Sequence, residues 1–164
     1  MTQNYGLFIN NQEVPATSGE TFASYAPATG AVVGYAARAR TDDVEQAVHA
    51  ARHAFSGWAG LPPAERERIM LKCADAIESK REHLMNVLID ESGSTLVKAR
   101  YEAMYTANLF RAAAGEARRL YGDTFPNDKP HRMSLVTREP LGVVLVISPF
   151  NAPLVLLTKM IVFA

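Results

Sequence analysis

The 164-residue chain has one cysteine, and its 17 basic side chains are matched by 17 acidic ones. A lone thiol excludes an intrachain disulfide framework and fits a reducing compartment. A net charge of zero removes the electrostatic footprint of a nucleic-acid binder or an anionic-membrane binder. Long hydrophobic runs are also missing. Leu141–Phe150 is too short to span a bilayer, and Leu154–Ala164 is interrupted by Thr158 and Lys159. The opening MTQNYGLFINNQEV lacks the basic and apolar regions of a secretory signal. These absences lead to the expectation of a cytoplasmic protein that engages neither nucleic acid nor membrane. No internal repeat or low-complexity tract is found. The four histidines are scattered; His49 and His53 stand four apart, with no third ligand nearby and no HExxH frame, so no metal site is expected.

What is present is an ordinary soluble composition, 48% hydrophobic and 21% charged, in the length of one domain. Leu7–Ile9 and Gln12–Val14 flank Asn10-Asn11, and asparagine tolerates the positive φ of a tight hairpin turn. Phe22–Tyr25 and Ala31–Ala36 read as further short strands about a turn at Pro27–Gly30. Helical periodicity then takes over. Thr41 is the expected N-cap of a first helix with Val44, Ala47, Val48, Ala51, Ala54 and Phe55 on its apolar face and a stop at Gly57. Pro62-Pro63 opens a second helix with Ile69, Met70, Cys73, Ala76 and Ile77 inward. A third helix spans about Lys80–Glu91 and stops at Gly93. A fourth, about Ser94–Tyr121, carries Leu96, Val97, Tyr101, Met104, Leu109 and Ala112. Asp123–Pro130 reads as loop and Met133–Arg138 as a partly exposed strand.

Arg138–Ala164 is the stretch where chemistry is expected. Gly142–Ser148 has the pattern of a buried strand, a Pro-Phe-Asn-Ala-Pro turn follows, and a helix-like apolar segment succeeds it. Strand, tight turn and helix is the layout that places functional groups at the carboxyl end of a sheet strand. Cys73, with Ile69 and Ile77 a turn to either side, reads as an inert core thiol and not as a nucleophile.

The ordered set INNQEV, APATGAVVGYAARA, FSGWAGLPPAERERIMLKCADAIE, VLIDESGS and REPLGVVLVISPFNAPL resembles the N-terminal part of the NAD(P)-dependent aldehyde dehydrogenase superfamily, from about Leu7 to Ala164. The resemblance implies an α/β fold made of small β elements, four helices, an arm strand and the first strand-turn-helix of a nucleotide-binding fold. It divides the chain into residues 1–130 of the coenzyme domain, an oligomerisation-arm strand at 131–140, and the start of the nucleotide-binding sheet at 141–164. It also implies a subunit about three times this length that binds NAD or NADP, takes a small-molecule aldehyde and forms homo-oligomers. In that family the aldehyde adds to a cysteine thiolate, hydride passes to the nicotinamide, and a glutamate-activated water releases the acid.

Carried onto this sequence, the resemblance makes Asn151 the catalytic residue, its side-chain amide donating to the developing oxyanion. Ile147, Ser148, Pro149, Phe150 and Asn151 would lie along the nicotinamide-ribose side of the cofactor. Ala152 and Leu156 would face the substrate tunnel. The family often has a large aromatic residue where Ala152 stands, and SPFNAP is similar to the form found in members acting on benzaldehyde, salicylaldehyde or vanillin. Taken on its residues alone, Asn151 also fits a plain turn residue bonded to backbone, and Ala152 fits neutral repacking. The family's catalytic cysteine and glutamate, and its ribose-binding lysine, have no counterpart in these residues. The chain is therefore expected to be a partial sequence and inactive alone. The alternatives are a non-catalytic module that associates with full-length subunits, and an acyl-CoA or acyl-phosphate reductase of the same superfamily, which generally lacks this asparagine pattern.

Overall fold

The computed structural model describes residues 3–164. Its β part comes first. The turn at Asn10-Asn11, with φ of 49° and 61°, joins β2 (Leu7–Ile9) to β3 (Gln12–Val14) as an antiparallel hairpin in which Leu7 pairs with Val14 and Ile9 with Gln12. β4 (Thr21–Tyr25) runs antiparallel to β5 (Val32–Ala37), and Gly30 supplies the positive φ of 70° between them. On the other edge of β5 lies β1 (Gln3–Tyr5), parallel, with Gln3 opposite Gly34. The alternation in the sequence does not mark β1, because three exposed residues carry no burial pattern.

Four helices follow, and a fifth closes the chain. They are α1 (Thr41–Ala59), α2 (Pro63–Ser79), α3 (Arg81–Ser92), α4 (Leu96–Ala117) and α5 (Pro153–Ile161). The N-cap of α1 is Arg40, not Thr41, and the capping group is the buried Asp43 carboxylate. Asp43 Oδ2 accepts the Arg40 N–H at 2.8 Å, and Oδ1 accepts the Thr17 N–H at 2.9 Å and the Thr17 hydroxyl. The hydrogen bond from the Thr17 hydroxyl, then those from the Arg40 and Thr17 amides, hold this carboxyl below the ordinary aspartate range. α1 continues through Gly57 and Trp58 to its C-cap at Gly60, since one glycine inside a helix costs only about 1 kcal/mol. Its expected apolar face is largely uncovered. Val44 is 53% exposed, and the β2 hairpin is the element α1 packs against most closely among the described residues.

α4 is the centre of the helical part and packs against α2, α3 and α5. Its buried residues are Ala99, Glu102, Ala103, Thr106, Ala107, Leu109, Ala113 and Ala114. The larger apolar side chains expected inward, Leu96, Val97, Tyr101 and Met104, are exposed, and Ala76 of α2 is exposed where Ala74 is buried. Small residues let neighbouring helix backbones approach closely, so the alanine row, not the bulky row, meets the other helices. Thr95 caps α4 by accepting the Lys98 N–H at 3.3 Å. Gly93, at φ 65°, ends α3 and turns the chain into α4.

Between α4 and α5 the segment expected to be loop contains β6 (Asp123–Phe125), which pairs antiparallel with β7 (Ser134–Val136), the strand expected within Met133–Arg138. Gly142–Ser148 is not assigned as a strand and has no sheet neighbour among the described residues; Leu145 is 84% exposed. An isolated segment lacks the ladder that defines a strand. Among the described residues no helix is long and apolar enough to cross a membrane.

Candidate functional site

The Ser148–Pro153 turn is built from both of its ends. Pro153 occupies the first position of α5, where its missing N–H removes no intrahelical bond. Ala152, the N-cap, offers no side-chain acceptor. At the near end the Ser148 hydroxyl donates to the Pro153 carbonyl at 2.8 Å and closes the turn across its base. At the far end the Val155 N–H donates at 3.3 Å to Glu102 Oε2, a carboxylate on α4. Neither bond uses the Asn151 side chain, which is exposed at the tip. Among the described residues its amide makes no hydrogen bond to backbone.

The expected cofactor-side residues are contiguous but differ in surroundings. Ile147 and Phe150 are 80% and 90% exposed, while Ser148 and Pro149 are half-buried. Ala152 and Leu156, one turn apart on α5, are half-buried and pack against a core of Leu109 and Ala113 from α4 with Val155 and Val162. The expected tunnel residues therefore stand where α5 leans on α4, directly after Asn151 in the chain.

Two neighbours of this site are not among the residues expected from the sequence. Glu102 is 1% exposed, and its second oxygen, Oε1, is ion-paired with Lys98 one turn earlier. Lys98 Nζ also donates to the buried Ser94 hydroxyl at 2.7 Å. Thr106 lies on the same stripe of α4 as Glu102, Leu109 and Ala113. It is fully buried, and its hydroxyl finds no partner among the described residues. The available signal was the four-residue spacing of Lys98 and Glu102 beside Ala99 and Ala103, a charged pair set in a row of small residues.

Other features lie apart from this turn. A groove of about 770 Å³ runs between the β2 hairpin and α1 and is lined by Ile9, Glu45, His49 and His53. It is open and contains none of the turn residues, so chemistry and not volume singles out the site. Among the described residues no three His, Cys, Asp or Glu side chains gather to hold a metal ion. Cys73 is half-buried on α2.

Residues 14–164 match the model of the aldehyde dehydrogenase family. The chain belongs to the aldehyde dehydrogenase family. It is 36% identical to the salicylaldehyde dehydrogenase of Pseudomonas putida over 157 residues, 96% of this chain and 32% of that protein. It is likewise 36% identical to the vanillin dehydrogenase of Pseudomonas fluorescens over 158 residues, 94% of this chain and 32% of that one. Its fold superposes on the crystal structure of a salicylaldehyde dehydrogenase from Pseudomonas putida G7 complexed with salicylaldehyde, with a TM-score of 0.94 and 34% identity, over 99% of this chain and 34% of the other. The chain thus spans about a third of the length of the aldehyde dehydrogenases it matches. That third is the N-terminal α/β portion of the family fold, and the aldehyde dehydrogenase match takes in all five helices and the Ser148–Pro153 turn.

Proposed function

We propose that the whole protein oxidises an aldehyde to its carboxylic acid, with this chain supplying the oxyanion donor, Asn151. The observation that carries this reading is an exposed, unengaged asparagine amide at the tip of a turn held at both ends, in a chain of the aldehyde dehydrogenase family. A donor fixed before charge develops on the substrate oxygen lowers the barrier by typically ~3 kcal/mol.

The residues at 147–150 fit the nicotinamide end of NAD or NADP. Ile147 and Phe150 offer exposed apolar surface there, and Ser148 and Pro149 beside them are half-buried. The cofactor, when bound, supplies the hydride acceptor. The Ala152 methyl, in place of a larger ring, leaves room for an aromatic aldehyde, a reading supported by the named activities of the salicylaldehyde and vanillin dehydrogenases. In the same proposal β7 belongs to an oligomerisation arm at 131–140, between the coenzyme-domain residues 1–130 and the start of the nucleotide-binding sheet at 141–164. The whole protein is then a cytoplasmic homo-oligomer.

Aldehyde-dependent formation of NADH or NADPH tests the reading. The whole protein is expected to turn over benzaldehyde-type substrates with higher kcat/KM than short aliphatic ones. The 164-residue chain alone is expected to form no reduced cofactor, because its one thiol, Cys73, is packed on a helix face and no other cysteine is present. Turnover by the isolated chain, or a strong preference for short aliphatic aldehydes, contradicts it.

A further inference from the structure

A carboxylate removed from water needs partners for both of its oxygens. Glu102 has them, and they lie on different elements. Oε1 meets Lys98 within α4, and Oε2 meets the Val155 N–H in the first turn of α5. The first-turn amides of a helix have no acceptor of their own, and a carboxylate placed there also complements the helix dipole. Since Pro153 has no N–H and Ala152 no side-chain acceptor, α5 receives its cap from another helix. The chain of contacts extends further back. Lys98 donates to the Ser94 hydroxyl, and Ser94 lies 2.9 Å from the Ser92 hydroxyl at the end of α3. A continuous polar line therefore joins the α3–α4 corner to the start of α5, running from the half-buried Lys98 to the buried Glu102.

We propose that Glu102 is the positioning residue of the catalytic turn. By accepting the Val155 N–H it fixes where α5 begins, and with Ser148 bonded to Pro153 it fixes the tip that presents Asn151. Lys98 neutralises the buried charge, which keeps the carboxylate in place. The proposal rests on the reading of Asn151 as oxyanion donor and adds to it a residue on α4, a different helix from the turn and from Ala152 and Leu156.

The test uses the whole protein and two double variants that both remove the Lys98–Glu102 charge pair. Lys98→Met with Glu102→Leu keeps the side-chain volume but leaves Val155 without an acceptor; Lys98→Met with Glu102→Gln restores an amide oxygen. The Leu variant is expected to melt near the wild-type temperature yet lose about tenfold in kcat, as small misplacements of a reacting group do, with KM for the aldehyde changing less. The Gln variant is expected to recover most of that loss. Wild-type kcat in both, or the same loss in both, overturns the proposal. Should the Leu variant not fold, hydrogen exchange in the wild-type protein decides: a Val155 amide exchanging as fast as an unbonded one overturns it, and a protected one supports it. Asn151→Ala is measured alongside. If its kcat is unchanged, the oxyanion reading has failed, whereas protection of Val155 still reports whether Glu102 caps α5.

Discussion

Asp43 and Ala152 show how differently single residues act in this molecule. Asp43 is a buried acid whose two oxygens receive three hydrogen bonds from Thr17 and Arg40, and these lower its pKa. A carboxyl with a depressed folded-state pKa stabilises the fold above the ordinary aspartate value of about 3.9 and loses that contribution as pH falls through the folded value. Asp43→Asn is therefore expected to lower the melting temperature at neutral pH, with the gap to wild type closing as pH falls below the ordinary aspartate range. A gap that does not change with pH contradicts this. Ala152 acts through size. Ala152→Phe in the whole protein is expected to reduce kcat/KM for benzaldehyde-type substrates about tenfold or more, given that a pocket discriminates by ~1–3 kcal/mol per small group; unchanged kinetics across an aldehyde panel would show that its size is neutral. Asn151 could be singled out in the sequence because prolines and the preceding apolar run frame it. Glu102 leaves a fainter mark, since a Lys-Glu pair four apart ordinarily marks a solvated helix face, and only the small residues around it and a partner more than fifty residues away, Val155, set it apart.

At the scale of elements, local chemistry was readable and packing was not. The Asn10-Asn11 hairpin, the Pro62-Pro63 helix start and the Gly93 stop all stand where residue preference places them. Gly93 combines φ of 65° with a would-be Cβ at 3.2 Å from Pro27, so Gly93→Ala is expected to cost about 1–2 kcal/mol, read as a lower denaturation midpoint; an unchanged midpoint would mean that the corner relaxes freely. α4 shows the limit of periodicity. Two stripes, one of alanines and one of Leu96, Val97, Tyr101 and Met104, both repeat at helical spacing, and hydrophobicity favours the wrong one. Which stripe is buried depends on how closely α2, α3 and α5 approach, a tertiary fact that no window of sequence contains. β6 is legible only with its partner, because Asp123–Phe125 is exposed and becomes a strand by pairing with Ser134–Val136.

For the whole molecule, the family fold is kept across the five helices, and the candidate site sits where α5 leans on α4. The segment Gly142–Ser148 leads into that site with no sheet neighbour among the described residues, in a chain that spans about a third of its relatives' length. The fold class was legible because hairpin, helix and turn signals follow one another in a distinctive order; burial on α1 and α4 was not, because it depends on which surfaces meet. In this reading, oxyanion stabilisation depends on a single donor held ready at the tip of one turn. The measurement that tests it most directly is steady-state kinetics of Asn151→Ala in the whole protein, with an aromatic aldehyde and saturating NAD or NADP. A fall in kcat of about 100-fold or more with little change in KM is the expected result. A variant that retains wild-type kcat would contradict it.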